Sequence, residues 1–200
     1  MVMNMNPARL LAALALLAFL GSCRNGRSAA SSVPKEKENA AAENKKPSKD
    51  PKAAEIKEKY AAQLGVSEKQ IGNVALYKFI DEWYGTPYQY GGKTKKGIDC
   101  SGFTTALYLE VFKMSIVGSS ASLYTMCEPM KTDELKEGDL VFFKISGNKI
   151  SHVGVYLQNN KFVHATTKRG VMINDLDEAY YKKYFYKGGR LKQVVGSKKP

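Results

Sequence analysis

Only three cysteines, two histidines and one tryptophan occur in this chain of 200 residues. Three cysteines are too few for a disulfide framework at this length, so each is read as an individual thiol. Long apolar runs are missing too. The longest, Leu10 to Leu20, has eleven residues, too short to cross a hydrocarbon core of about 30 Å as a stable helix, which argues against a permanent transmembrane anchor. There is no internal repeat, and no nucleic-acid-binding motif accompanies the basic charge. Between Arg24 and Asp50 there is no aromatic residue and Val33 is the sole branched aliphatic, so this segment cannot build a core. What is present is ordinary for a globular protein: 44% hydrophobic and 25% charged side chains, which excludes a wholly disordered or collagenous chain. The net charge of +12 favours anionic surfaces, among them nucleic acid, lipid headgroups and cell-wall polymers, without choosing between them.

Arg9, the apolar run, then Gly21 and Ser22 before Cys23 form a signal-peptide layout. The cysteine directly after the small residues resembles the bacterial lipoprotein signal. That resemblance implies removal of residues 1–22, lipidation of Cys23 as the mature N-terminus and a membrane tether; the alternative is an ordinary secretory signal with a chance cysteine. Residues 23–54 then read as a lipid-anchored flexible linker. About 30 such residues have an r.m.s. span near 30 Å, enough to hold a folded head away from a membrane. Residues 55–200 read as one domain.

Ile56, Tyr60 and Leu64 recur at helical spacing, and a second stretch from Ser67 carries Ile71, Val74, Leu76, Phe79, Ile80 and Trp83. Ser67 and Gln70 have capping-box spacing, which places the start of that helix at Ser67. A third helix from Cys100 sets Phe103, Ala106, Leu107, Val111 and Met114 on one stripe. Thereafter the periods shorten, and Leu140–Phe143, Ile150–Leu157, Phe162–Thr167 and Val171–Ile173 read as strands. Helices followed by strands make an α+β domain with N-terminal helices packed on an antiparallel sheet.

Cys100 stands where a Gly-rich loop becomes a helix. A free thiol is mostly protonated at neutral pH, and the unpaired amides at a helix start favour its anion and can also donate to an oxyanion. Asp99 at that position also suits a plain helix cap, with Cys100 a small buried residue. Both histidines follow in predicted strands: His152, sharing a strand face with Gly154, and His164. A cysteine at a helix start with two histidines in one domain suits nucleophilic catalysis.

In order, the chain carries Gly85-Thr86-Pro87-Tyr88-Gln89-Tyr90-Gly91-Gly92, Asp99-Cys100-Ser101-Gly102-Phe103, Gly138-Asp139-Leu140-Val141-Phe142-Phe143, His152-Val153-Gly154-Val155-Tyr156 and Phe162-Val163-His164-Ala165. Together these resemble the NlpC family of papain-like bacterial cell-wall cysteine peptidases, over about Ile71 to Leu191, and Lys161–Leu191 resembles its outer-membrane murein endopeptidase branch. The resemblance implies a papain-like fold over 55–200 and a peptidoglycan hydrolase cutting stem-peptide or cross-link amide bonds. Cys100 would be the nucleophile, His152 the base and His164 its orienting partner. Tyr88 would serve the oxyanion beside the Cys100 amide, and Asp99 and Ser101 would contact the stem peptide unless they only cap the helix. No cofactor, no metal and no nucleic acid are implied. The partners are stem peptides and, through Cys23, a membrane; the expected state is a monomer on the outer membrane facing the periplasm. Relatives often carry an arginine and a glutamine after the catalytic helix, and Gly118–Leu123 shows neither.

Two other functions compete: an inactive peptidoglycan-binding module, which has no need of the triad, and a zinc site on Cys100, His152 and His164, which lacks a short-spaced chelating pair. Two structural expectations follow. His152 and His164 share a sheet face only if paired positions sum to an even number, which calls for a three-residue loop, Gln158-Asn159-Asn160, with an asparagine in the left-handed region, or else a bulge. Cys127 should be a buried, unpaired residue near the strands. The tyrosine cluster at 180, 181, 184 and 186 should be packing and rim.

Overall fold

The computed structural model describes residues 50–192. The expected signal peptide, Cys23 and residues 23–49 of the expected linker lie outside the described residues. Helix α1 (Pro51–Leu64) starts four residues before the expected boundary at 55, because Asp50 accepts from the Lys52 amide and Pro51 takes a first-turn position that needs no donor. Ile56, Tyr60 and Leu64 are buried, as their spacing predicts. The box at Ser67 does form, with the Gln70 amide oxygen accepting from the Ser67 N–H at 3.0 Å, but it closes a single 3-10 turn, Glu68–Gln70. Helix α2 (Val74–Trp83) starts later, on its own cap, Asn73.

A short ribbon, β1 (Lys93–Thr94) with β2 (Gly97–Ile98), leads into α3 (Cys100–Val111). Phe103 and Leu107 are buried in α3 alongside Thr104 and Tyr108. The expected stripe is too long at its far end: the helix stops at Val111, Lys113 takes φ 57°, and Met114 is 37% exposed. Helix α4 (Ser120–Thr125) follows, and then strands β3 (Cys127–Met130), β4 (Leu140–Phe143), β5 (His152–Tyr156), β6 (Lys161–Thr166) and β7 (Gly170–Asp175), short helix α5 (Ala179–Tyr184) and β8 (Phe185–Leu191). The sheet order is β3-β8-β4-β5-β6-β7, antiparallel throughout. This is the α+β architecture with helices on an antiparallel sheet that the resemblance implied. Strand β4 is buried on both faces, which explains an apolar run without alternation.

One face of the sheet, with Leu140, Phe142, Val153, Val155, Val163 and Ala165, shares a core with α1, α2 and α3. The other, with Val141, Phe143, Tyr156 and Phe162, packs against Tyr181 of α5. Cys127 is buried and unpaired, at the start of β3, with its sulfur 3.3 Å from the Leu123 carbonyl. That agrees with expectation.

The β5–β6 hairpin also follows the expected geometry. Val155 pairs Val163 and Tyr156 pairs Phe162, both even sums, and the Leu157 N–H donates to the Lys161 carbonyl at 2.8 Å. The loop is Gln158-Asn159-Asn160, with both asparagines left-handed at φ 51° and 58°.

The β6–β7 turn is tied to the loop after α2: the Gly85 N–H donates to the Val171 carbonyl at 2.8 Å and the Val171 N–H to the Thr86 carbonyl at 3.0 Å. Gly170 makes this approach possible, since a Cβ there would stand 2.0 Å from the Thr86 carbonyl oxygen at a φ of +69°. Gly170→Ala is therefore expected to lower stability by about 1–3 kcal/mol, read as a reduced urea midpoint with unchanged slope; a midpoint equal to wild type would show that the loop yields freely.

Candidate active site

The functional side chains are gathered where the first turn of α3 meets the start of β5. Asp99 caps α3: its Oδ1 accepts from the Gly102 N–H at 2.6 Å and from the Ser101 hydroxyl at 2.9 Å, while Oδ2 accepts from the Gly91 N–H at 2.8 Å. The capping reading is met by Asp99, with the Ser101 hydroxyl bound to the capping carboxylate, and Asp99 also staples the Gly-rich approach loop to the helix. Its neighbour Cys100 is 7% exposed, and its sulfur is surrounded by the amides of Val153, Ser101 and Cys100 itself. Val153 is the residue after His152 in β5.

His152 and His164 are both buried, at 9% and 1% exposed. Their rings meet edge to face with centroids 4.9 Å apart, and His152 Nε2 lies 2.6 Å from His164 Nδ1. Gly154 makes room for this. A Cβ on it would stand 2.7 Å from the Phe162 ring and 3.2 Å from His164 Cβ, so any side chain there would push His164 away from its partner.

Electrostatics favour neutral groups. Burial pushes the Cys100 thiol up to about 11; the Val153 amide opposes this, the Asp99 charge adds to it, and the Ser101 and Cys100 amides oppose it again. The amides at the helix start thus oppose the shift, and desolvation outweighs them, which favours the neutral thiol. Burial and then the His164 ring hold His152 well below the usual imidazole range, and burial, opposed by the Asn174 hydrogen bond, takes His164 down to about 4. Tyr88 bridges Ile98, and its hydroxyl is raised by burial and then by Cys100 and Asp99, so it stays a donor. A groove of about 500 Å³ opens beside the two rings, bordered by Tyr88, Ser151, Arg169 and Tyr180.

The sequence pattern of the NlpC/P60 family matches residues 85–190, the span that holds every one of these groups. The chain belongs to the NlpC/P60 family. A relative from Haemophilus influenzae, described as a probable endopeptidase NlpC homolog, is 42% identical over 62% of this chain and 66% of its own length. The probable endopeptidase NlpC of Escherichia coli is 42% identical over 56% of this chain and 73% of its own, and the protein named murein DD-endopeptidase MepS/murein LD-carboxypeptidase of the same species is 41% identical over 55% and 58%. Among solved structures, the NlpC/p60 domain of the peptidoglycan hydrolase SagA superposes with a TM-score of 0.52 at 26% identity, over 60% of this chain and all of that one. An NlpC/P60 protein from Bacillus cereus gives 0.54 at 26% identity over 58% and 39%.

Within this NlpC/P60 domain, two polar residues near the histidines escaped the sequence reading. Asn174 Oδ1 lies 2.9 Å from His164 Nε2, and Glu178 holds the Asn174 amide. Asn174 falls one residue past the expected end of its strand, and its only signal is period two with Met172. The tyrosine cluster behaves as packing and rim: Tyr181 is buried against Phe162 and His164, whereas Tyr180 and Tyr186 are 49% and 40% exposed.

The buried imidazoles make stability depend on pH. Below pH 6.5 the unfolded ring of His164 takes a proton that the folded ring refuses until about pH 4, so the unfolded state binds more protons and stability falls as pH drops through that window. The loss expected from His164 is of order 3 kcal/mol, with His152 acting in the same direction. Urea midpoints measured from pH 8 to pH 4 should show it, and His164→Gln should flatten the profile; an equally steep profile in the variant would assign the dependence elsewhere.

Proposed function

We propose that this chain is a cysteine endopeptidase of peptidoglycan in which Cys100 attacks the scissile carbonyl, His152 takes the thiol proton and His164 orients the His152 ring. The observation that carries the reading is a hydrogen-bonded imidazole pair whose His152 precedes Val153, the residue whose amide serves the sulfur of the helix-start Cys100, inside a domain whose relatives are named endopeptidases. With Nε2 bound to His164, Nδ1 is the nitrogen left to His152 for the sulfur.

Substrate entering the groove brings the carbonyl carbon to Cys100. Sulfur adds to that carbon as its proton passes to His152, which forms a thiolate–imidazolium pair only when it is needed. The Cys100 amide and the Tyr88 hydroxyl serve as donors to the oxyanion. Collapse expels the amine, which leaves with the proton from His152, and the resulting thioester is hydrolysed by water activated by the same ring. Asp99 acts by fixing the helix start, with Ser101 held against it. A zinc ion shared by the histidines does not suit this arrangement, because Nε2 of one and Nδ1 of the other bond each other.

Two bonds fit the chemistry: the D-alanyl–diamino acid cross-link and the γ-D-glutamyl–diamino acid bond within one stem. A murein DD-endopeptidase among the relatives favours the first. The location that goes with this reading is the cell envelope, with the signal at 1–22 removed, Cys23 lipidated, the segment from 23 to the start of α1 as tether and a monomeric domain at the outer membrane facing the periplasm. Among the described residues no helix is long and apolar enough to cross a membrane.

Cys100→Ala and His152→Ala should each abolish release of soluble fragments from purified sacculi without altering the fold by circular dichroism. The double variant should lose little more than either single one, because the two groups act in one step. Thiol alkylation should inactivate the protein and chelators should not. Uncross-linked stems in the mass spectrum indicate the cross-link as target, and shortened stems the γ-glutamyl bond; full activity in Cys100→Ala, or its loss to a chelator alone, refutes the chemistry. Separately, Cys23→Ser should move the protein from the membrane fraction to the soluble fraction of fractionated cells, and retention at the membrane would count against the lipid anchor.

A further inference from the structure

The hydrogen bonds around His164 fix where its proton sits. A carboxylate only accepts, and Glu178 takes the Asn174 Nδ2 group on both oxygens, at 2.9 and 3.1 Å. The amide of Asn174 is therefore not free to rotate end for end: turning it over would set its carbonyl oxygen against two carboxylate oxygens. Oδ1 is the atom presented to the ring, and it also accepts the Tyr181 hydroxyl at 3.3 Å. Because an amide oxygen has nothing to donate, His164 Nε2, 2.9 Å away, must carry a hydrogen.

In a neutral ring with hydrogen on Nε2, Nδ1 is bare. His164 Nδ1 then has to accept from His152 Nε2 across their 2.6 Å contact, so the hydrogen of His152 also sits on Nε2 and its Nδ1 holds a lone pair. Both rings are neutral in this accounting, consistent with their burial. Three links, from Glu178 through Asn174 and His164 to His152, thus select one of two tautomers at the base. Strand β7 and the residue before α5 are responsible, since Asn174 shares a strand face with Met172, the cross-strand partner of His164.

We propose that Asn174, with its amide orientation set by Glu178, is a positioning residue that holds His164 and His152 in the tautomer whose bare His152 Nδ1 serves Cys100. This rests on Cys100 and His152 as the reacting pair, and it extends that unit by two residues that border the groove and act on the pair through His164. Glu178 is exposed at the surface, so the charge that sets a buried proton lies in reach of solvent.

The test uses the full chain labelled with ¹⁵N-histidine. With two histidines in the sequence, only two rings contribute, and His164→Gln assigns them. In the wild-type protein at neutral pH both rings should show a protonated Nε2 and a bare Nδ1. Asn174→Leu, which removes the acceptor, should give averaged ring-nitrogen shifts for His164 and His152 and lower kcat on a soluble cross-linked muropeptide about 10- to 100-fold, the range seen when outer partners of functional histidines are lost, with KM within about twofold of wild type. Asn174→Asp combined with Glu178→Gln keeps an acceptor toward His164 and gives the outer oxygen an amide donor in place of a carboxylate, and should restore the ring shifts and most of kcat. Glu178→Ala, a surface change that leaves the fold intact even if Asn174→Leu does not fold, should shift the same nitrogens in the same direction by a smaller amount. Wild-type ring shifts in a folded Asn174→Leu, in Glu178→Ala or in both overturn the proposal, and so does a fall in kcat without any tautomer change. The spectra do not depend on turnover, so failure of the catalytic reading would appear separately, as full activity in Cys100→Ala.

Discussion

Two imidazoles buried side by side must satisfy each other, because a ring nitrogen removed from water and left without a partner costs about 1–3 kcal/mol. The 2.6 Å contact between His152 and His164 imposes that condition on much of the fold. Both rings have to leave the sheet on the same face, which sets the register of β5 against β6 and hence the left-handed asparagines of the intervening turn. The position opposite His164 has to be nearly empty, which requires glycine at 154. The far side of the His164 ring needs an acceptor, and the β7 strand brings Asn174 to it. Tyr181 of α5 then packs edge-on against the His164 ring.

The helix side answers a different demand. Amides around the sulfur lower the cost of an anion, but the same burial that excludes water raises it more, so at rest neither partner of the Cys100–His152 pair carries charge. In the proposed mechanism, charge separation becomes favourable only as it is used, when the carbonyl oxygen develops negative charge beside the Tyr88 hydroxyl and the Cys100 amide. Such a site stores little electrostatic strain in the absence of substrate. Its groups are arranged for a state that the free protein does not occupy.

Much of this was legible in the sequence, and the misses have physical causes. The spacing of Ile56, Tyr60 and Leu64, the unbroken apolar run of β4 and the parity of the hairpin were all readable, because each reports burial or pairing directly. The capping pair Ser67 and Gln70 misled about the start of α2: the box satisfies amides equally well over one 3-10 turn, and Gly72 then releases the chain. The stripe of α3 was extended to Met114 because periodicity carries no information about the left-handed Lys113 that ends it. Strand β3 has Pro129 at a sheet edge and β8 has Gly188-Gly189 between basic residues, so neither shows strand-like composition. Their pairing is imposed by neighbours. At the site, motif residues were readable from order and type, while Asn174 and Glu178 are visible only once the strands bring them to His164.

The burial of the two described thiols has a chemical consequence of its own. Peroxides react with thiolates and leave neutral thiols nearly untouched. With Cys100 held up to about 11 and Cys127 to about 12, neither sulfur offers an appreciable anion at neutral pH. That disfavours sulfenic acid formation at both. If Cys100 is the proposed nucleophile, the same burial that keeps it a neutral thiol at rest also shields it from oxidants until a carbonyl is seated against it.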